Sequence, residues 1–201
     1  MINVFNENNH SLVYEIDLDK EIKNDAPQII INCALPSSIK KTIEIVNEFK
    51  VPLIIAATGL TENDIQTLKL LSEKYPVVQS YNFSIGVQLL LKLSEISNDI
   101  IKDWDIEISE THHRFKKDKP SGTALMIKDK LGAKPVNISS LRLGNIVGDH
   151  TITFGGLGET VSISHHATSR RAFAEGILKS AEFALKKKNG FYSFKEVIFG
   201  G

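Results

Sequence analysis

The stretch ETHHRFKKDKPSGTAL, Glu110 to Leu125, sets two adjacent histidines beside Arg114, Lys116, Lys117 and Lys119 and ends in a Ser-Gly-Thr turn. Imidazole exchanges a proton near neutral pH more readily than other side chains. His112 and His113 are therefore candidates for acid or base work on a substrate that the neighbouring cations would attract. Lysine and arginine suit carboxylates or phosphates. Ser121, Gly122 and Thr123 open the segment TALMIKDKLG, which reads as a helix. A helix start offers an anion its unpaired N–H groups and the positive end of the dipole, and Pro120 fixes the approach of the chain. Each part also has a plain structural reading. A lysine-rich loop is by default a solvated face, one histidine of a pair beside a strand can simply face the core, and a serine before a helix is an ordinary N-cap. A small, highly charged anion is what would make all of them useful in one place.

Other candidates are weaker. His165 and His166 form a second pair, but adjacent strand residues point to opposite faces and no CxxC or HExxH spacing accompanies them, so no metal is expected. The single cysteine, Cys33, lies in the apolar run IIINCAL and reads as a small buried hydrophobe rather than a nucleophile.

The elements that must position these residues fall into two groups. From Leu12 to Ser80, short β-branched runs alternate with segments of helical period, the mark of parallel βαβ units. The strands are LVYEI (12–16), QIIIN (28–32), VPLIIAA (51–57) and VVQS (77–80). Ile39, Ile43, Val46 and Phe49 share one helical face, and Ile65, Leu68 and Leu71 another, the latter after a capping box at Thr61 to Asp64. After Asn82 a long apolar helix, SIGVQLLLKLSEISNDII, precedes the alternating runs DIEISE, VNISSLRLG, HTITF and TVSIS, which predict a mostly antiparallel sheet. GGLGE suits a hairpin loop with glycine at positive φ. An amphipathic helix from about Ser169 to Lys188 and the segment YSFKEVIFG close the chain. Two domains with a ligand cleft between them are the expectation.

Bulk properties exclude several classes. The 201 residues carry 24 basic and 24 acidic side chains, so the chain as a whole has no electrostatic reason to seek nucleic acid or anionic membrane. No run is long enough to span a bilayer and Met1 opens no signal peptide, so the expected location is cytoplasmic.

Taken together, the motifs resemble the dihydrodipicolinate reductase (4-hydroxy-tetrahydrodipicolinate reductase) family of lysine and diaminopimelate synthesis. The resemblance rests on E-x-H-H-x-x-K-x-D-x-P-S-G-T-A at Glu110 to Ala124, YNFSIG at Tyr81 to Gly86, R-x-G-x-x-x-G-D-H-T at Arg142 to Thr151 and GETVSISHHATSR at Gly158 to Arg170. It implies a Rossmann-like parallel sheet in residues 1–83, completed by 171–201, and a substrate-binding and oligomerisation domain in 84–170. It also implies that His112 is the proton donor with Lys116 beside it. His113, Lys116, Ser121, Gly122 and Thr123 would bind the carboxylates of a small dicarboxylate, with Arg170 as a further contact. NADH or NADPH would lie near Ala56, Ala57, Thr58, Ser80, Tyr81, Asn82 and Phe83, and the assembly would be a homotetramer.

The chain departs from the family in its cofactor half. The glycine-rich turn G-x-x-G-x-M-G is absent from the sequence, AATG (56–59) replaces GTTG, and NCALP (32–36) replaces DFT-x-P. The chain thus reads as starting about one strand, one turn and part of a helix late, with the α/β domain rearranged, loosened or completed by another chain. Asp17 keeps the place of an acid that accepts an adenosine ribose hydroxyl. Two readings follow: a reductase, or a non-catalytic dianion-binding paralogue that has lost the dinucleotide. A basic-loop interaction module is disfavoured by the zero net charge and the lack of aromatics among the lysines.

Overall fold

The structure is a computed structural model that describes residues 2–17, 20–132 and 135–200, with the backbone alone at Tyr14, Ile16, Asp17 and 20–23. The chain forms two compact units, Met1–Phe83 with Phe173–Gly201, and Ser84–Ala172.

The first unit is built on a parallel four-stranded sheet. Its strands are β3 (Ile30–Asn32), β4 (Leu53–Ile55), β5 (Pro76–Gln79) and β10 (Gly190–Ser193), in the order β10-β5-β4-β3. Crossover helices α2 (Ile39–Phe49) and α3 (Glu62–Ser72) join consecutive strands. In α2, Ile39 and Val46 are buried against the sheet, and Lys50 ends the helix in the left-handed conformation at φ +56°. Helix α3 starts at the expected capping box: Thr61 Oγ1 accepts from the Asp64 N–H at 3.2 Å while the Asp64 carboxylate accepts from the Thr61 N–H at 2.8 Å. Ile39, Val46, Leu53, Ile55, Ala57, Leu68, Leu71 and Val77 form one apolar core. A short helix α1 (Ile2–Glu7) packs Val4 on Ala174 and Leu178 of α6 (Arg171–Ala184). The last helix, α7 (Phe194–Phe199), has a second capping box, between Ser193 and Glu196.

The second unit packs α4 (Ile85–Ile100) and α5 (Gly122–Lys130) on one face of a four-stranded sheet. Its strands are β6 (Asp105–His112), β7 (Asn137–Arg142), β8 (Gly148–Gly155) and β9 (Thr160–Ala167), in the order β7-β6-β8-β9. The β6–β8 and β8–β9 pairs are antiparallel and β6–β7 is parallel. The other face carries hydroxyl pairs, Thr151 with Ser164 at 2.9 Å and Thr153 with Ser162 at 3.0 Å. Along β6 burial alternates, so Ile106, Ile108, Glu110 and His112 share the core side. An apolar row therefore turns into a charged one at the strand's carboxyl end.

Three expectations need correction. The run LVYEI reads as a member of the parallel series, but its strand β1 (Tyr14–Asp17) pairs antiparallel with β2 (Lys20–Lys23) in a two-stranded sheet of its own. Two segments separated by two residues meet at far lower loop-closure cost than segments joined through a crossover. Cys33 is exposed just past the end of β3 at Asn32, yet its surroundings still push the thiol up to about 11, which agrees with the expectation that it is not a nucleophile. The GGLGE loop does join β8 to β9, yet its glycines are not at positive φ. Gly156 has another reason: a Cβ there would stand 2.7 Å from Cε2 of Trp104, so the ring lies flush on the backbone.

Candidate functional site

The carboxyl end of β6 carries the centre of the site. Glu110 is 1% exposed and is gripped by Arg142, the last residue of β7, which faces His112 in the parallel register. Arg142 Nη1 donates to Glu110 Oε2 at 3.0 Å and Nη2 to Oε1 at 2.8 Å, a two-pronged pair that matches the planar fork of guanidinium to carboxylate. Arg142 also donates to the carbonyls of Lys116 (3.3 Å), Asp118 (2.5 Å) and Leu141 (2.5 Å), which pins the loop after β6. The backbone N–H of Ser121 donates to Glu110 Oε1 at 3.3 Å. One buried carboxylate thus ties β6, β7, the basic loop and the start of α5 together.

Glu110 also holds the ring of His112, whose Nδ1 is bonded to Oε2. Burial pushes the Glu110 carboxyl up, but hydrogen bonds from Arg142, Ser140 and His112 outweigh it and bring the pKa down to about 2. An ionised Glu110 accepts only, so His112 Nδ1 must carry a proton and Nε2 is the nitrogen left able to take up or release one. Burial lowers the pKa of His112, Glu110 opposes that shift, and the charges of Lys116 and Arg142 add to it. Gly148 lies at the working edge of the ring: a Cβ there would stand 3.1 Å from His112 Nε2.

Two further imidazoles continue from this point. His150 of β8 is 3% exposed, meets His112 edge to face at 5.1 Å between ring centres, and places Nε2 3.3 Å from Ser121 Oγ. Burial, with the charges of His112 and His165, lowers its pKa to about 3. His165 of β9 lies 6.4 Å from His150, and its Nε2 is 3.2 Å from Oγ of Ser84, the N-cap of α4. Burial is also the main reason that its pKa is lowered. Among the described residues, no three His, Cys, Asp or Glu side chains converge as a metal site would require.

The remaining sequence candidates stand as follows. Lys116 forms an ion pair with Asp118 at 2.8 Å and contributes positive charge at His112. His113 falls just past β6, half-buried, with its ring 6.4 Å from that of Phe115. Ser121 caps α5 by accepting from the Ala124 N–H at 3.2 Å; Gly122 is exposed with open space on its Cβ side, and Thr123 is buried. Arg170 is exposed just before α6. In the first unit, Ala56, Ala57 and Thr58 follow β4, and Ser80, Tyr81, Asn82 and Phe83 follow β5, so both groups lie at carboxyl ends of parallel strands. Ser80 Oγ donates to the Asn82 carbonyl at 2.8 Å, Phe83 packs on Phe194 at 5.1 Å, and Tyr81 is 46% exposed. Gln79 Nε2, at the same end of β5, is buried without a partner among the described residues. A spare donor beside small residues at the carboxyl ends of parallel strands fits the edge where such sheets receive a dinucleotide. Asp17 ends β1 in the two-stranded sheet, and its side chain lies outside the described set.

Nothing local in the sequence singles out Arg142, His150 or His165 as members of this cluster. Glu110 was marked only within its motif, although the two-residue period of DIEISETH already places it beside His112.

Comparisons with known proteins agree with this layout. Residues 2–83 match the family profile described as dihydrodipicolinate reductase, N-terminus, and residues 86–198 the one described as dihydrodipicolinate reductase, C-terminus. The chain is 46% identical over 198 residues to the 4-hydroxy-tetrahydrodipicolinate reductase of Thermosipho africanus (strain TCF52B), covering 98% of this chain and 91% of that one. It is 34% identical to the protein of that name from Caldanaerobacter subterraneus subsp. tengcongensis, over 90% of this chain and 80% of that one. A solved structure described as dipicolinate-bound dihydrodipicolinate reductase from Paenisporosarcina sp. TG-14 shares the fold. It matches with a TM-score of 0.70 at 23% identity, over 83% of this chain and 72% of that one.

Proposed function

The chain belongs to the dihydrodipicolinate reductase family, and on that premise we propose that it reduces 4-hydroxy-tetrahydrodipicolinate (dihydrodipicolinate) to tetrahydrodipicolinate in lysine and diaminopimelate biosynthesis. The observation that carries this reading is the buried Glu110–His112–Arg142 constellation joined to the start of α5. It combines a proton donor of fixed tautomer with an anion seat on one rigid framework.

The substrate ring bears two carboxylates. Ser121, Gly122 and Thr123 bind one at the α5 start, where the Ser121 hydroxyl can donate and the helix dipole favours negative charge. His113 and Lys116 bind the other, and Arg170 adds positive charge. The 4-hydroxyl leaves as water, the hydride adds to the ring, and His112 Nε2 gives the ring a proton, while Glu110 goes on accepting from Nδ1–H and stabilises the imidazolium before transfer. Lys116 stands close enough to lower the affinity of His112 for its proton, which makes the donor more acidic. Two substrate carboxylates arriving at the same place raise that affinity again, so protonation of His112 is coupled to substrate binding.

NADH or NADPH, when bound, supplies the hydride. Ala56, Ala57 and Thr58 after β4, and Ser80 to Phe83 after the neighbouring β5, would hold it at the carboxyl ends of the parallel strands. The same reading includes a homotetramer joined through the sheet of the second unit, and work in the cytoplasm.

The test is to mix the full chain with dihydrodipicolinate and either NADH or NADPH, following loss of the reduced-nicotinamide absorbance. Turnover that falls on the order of a hundredfold or more in His112→Ala, while substrate affinity changes less, is the expected result. Lys116→Ala is expected to damage both. Failure of the parent chain to oxidise or bind either nucleotide overturns the proposal.

A further inference from the structure

His150 has no role in the scheme above, yet its ring stands between the proton donor and the anion seat. Its Nε2 is 3.3 Å from Ser121 Oγ, and that oxygen already accepts the Ala124 N–H at 3.2 Å. Its Nδ1 is buried with no partner among the described residues. The groups around the ring are His112 and Glu110 from β6, Lys116 from the basic loop, Ser121 from the start of α5 and His165 from β9.

Two proton arrangements are open to a neutral ring. In one, the Ser121 hydroxyl donates to Nε2, and the proton on Nδ1 is then a buried donor with nothing to receive it. In the other, Nε2–H donates to Ser121 Oγ and Nδ1 is a bare acceptor. Both lone pairs of Oγ are then engaged, by Ala124 N–H and by Nε2–H, so the Ser121 O–H is left to donate elsewhere. A carboxylate at the α5 start gives that O–H an acceptor and leaves no donor unpaired. The first arrangement gains nothing comparable, since an orphaned buried N–H is the rarer and costlier defect.

We propose that His150 is a positioning residue of the substrate site: its Nε2–H holds Ser121 Oγ as an acceptor and so turns the Ser121 hydroxyl proton toward a substrate carboxylate. This rests on the dianion reading of Ser121 given above. The hydrogen bond of His150 Nε2 runs to Ser121 and not to His112, so the positioning acts on substrate binding.

Binding is read by calorimetry with dipicolinate, a planar dianion that needs no turnover, on the full chain and on variants checked for parental near-UV circular dichroism. His150→Leu is expected to weaken dipicolinate about tenfold, the scale of one hydrogen bond to a charged group, and to raise KM to match with kcat little changed. His150→Gln carries an amide N–H to about the position of Nε2 and is expected to bind as the parent does, whereas the shorter His150→Asn is expected to behave like His150→Leu. In the Ser121→Ala background, His150→Leu is expected to add nothing further, because the group it positions is gone. Equal losses in the Gln and Asn variants overturn the proposal. So do additive effects with Ser121→Ala, or a fall in kcat with dipicolinate affinity intact. A parent that binds dipicolinate but reduces nothing overturns the reductase assignment and leaves the His150 claim to be decided by the same titrations.

Discussion

Replacing Arg142 with methionine removes the guanidinium and keeps most of the side-chain volume, so the change isolates the charge that balances Glu110. Both partners are enclosed: the Glu110 side chain is 0% exposed and that of Arg142 8%. Breaking one side of such a buried pair costs about 3–5 kcal/mol, because the remaining carboxylate is left with too few partners. That is a large fraction of the roughly 5–15 kcal/mol that holds a domain folded. Glu110 would keep the His112 ring and the Ser121 N–H, which is why the lower half of the range is expected. The loss must depend on pH. In the parent, the carboxyl pKa is depressed to about 2, so the stability it contributes is present above the ordinary carboxylate range and is lost only as the pH falls through that low value. Without Arg142 the main lowering influence is gone and burial pushes the carboxyl up. The folded variant then takes up a proton before the unfolded chain does, and the gap between parent and variant narrows as the pH falls from about 7 toward 5. Urea unfolding of both proteins at several pH values measures this, and Glu110→Gln in the Arg142→Met background is expected to recover most of the loss at pH 7. A deficit below about 1 kcal/mol at pH 7, the worth of an ordinary surface pair, or one that is constant with pH, refutes the reasoning.

Gly148→Ala places a methyl 3.1 Å from His112 Nε2, tighter than an ordinary van der Waals contact, and the ring is held at Nδ1 by Glu110, so it has little freedom to yield. Turnover is expected to fall about tenfold or more with a small change in melting temperature. His150 has its pKa lowered to about 3 against an ordinary 6.5, so the unfolded chain binds its proton first as acid is added. Stability from this residue is full above the ordinary value and declines as the pH falls from there toward about 3; His112 and His165 act in the same direction. Acid titration of the melting temperature is expected to be shallower in His150→Gln than in the parent. Thr61→Ala removes the oxygen that accepts from Asp64 N–H and is expected to cost about 1 kcal/mol in urea unfolding without altering dipicolinate binding.

What the sequence made legible was whatever depends on neighbours a few residues apart. The periods of α2 and α3, the capping box at Thr61 and the alternation of β6 are local, and each stands in the structure. The Ser121 N-cap and the helix it opens are local as well. The partner of β1 was misjudged for a related reason: YEID reads equally well as a member of a parallel series or as half of a hairpin, and period alone does not distinguish them. Arg142 lies beyond local reasoning altogether. Its tie to Glu110 depends on β7 lying parallel to β6 and on a register that sets Arg142 opposite His112, and neither follows from the run VNISSLRLG. His150 and His165 depend in turn on β8 and β9 being stacked on the other side of β6, which the alternating pattern permits without requiring. The consequence concerns chemistry as much as topology. The local motif supplies a histidine and a helix start, but a histidine becomes a directed proton donor only when something fixes which nitrogen carries its proton. Here that something is a carboxylate kept ionised inside the second unit by an arginine one strand away. On the proposed role, the acid–base competence of His112 is thus a property of the sheet order, and a rearrangement of β7 against β6 would abolish it with every residue of the motif intact.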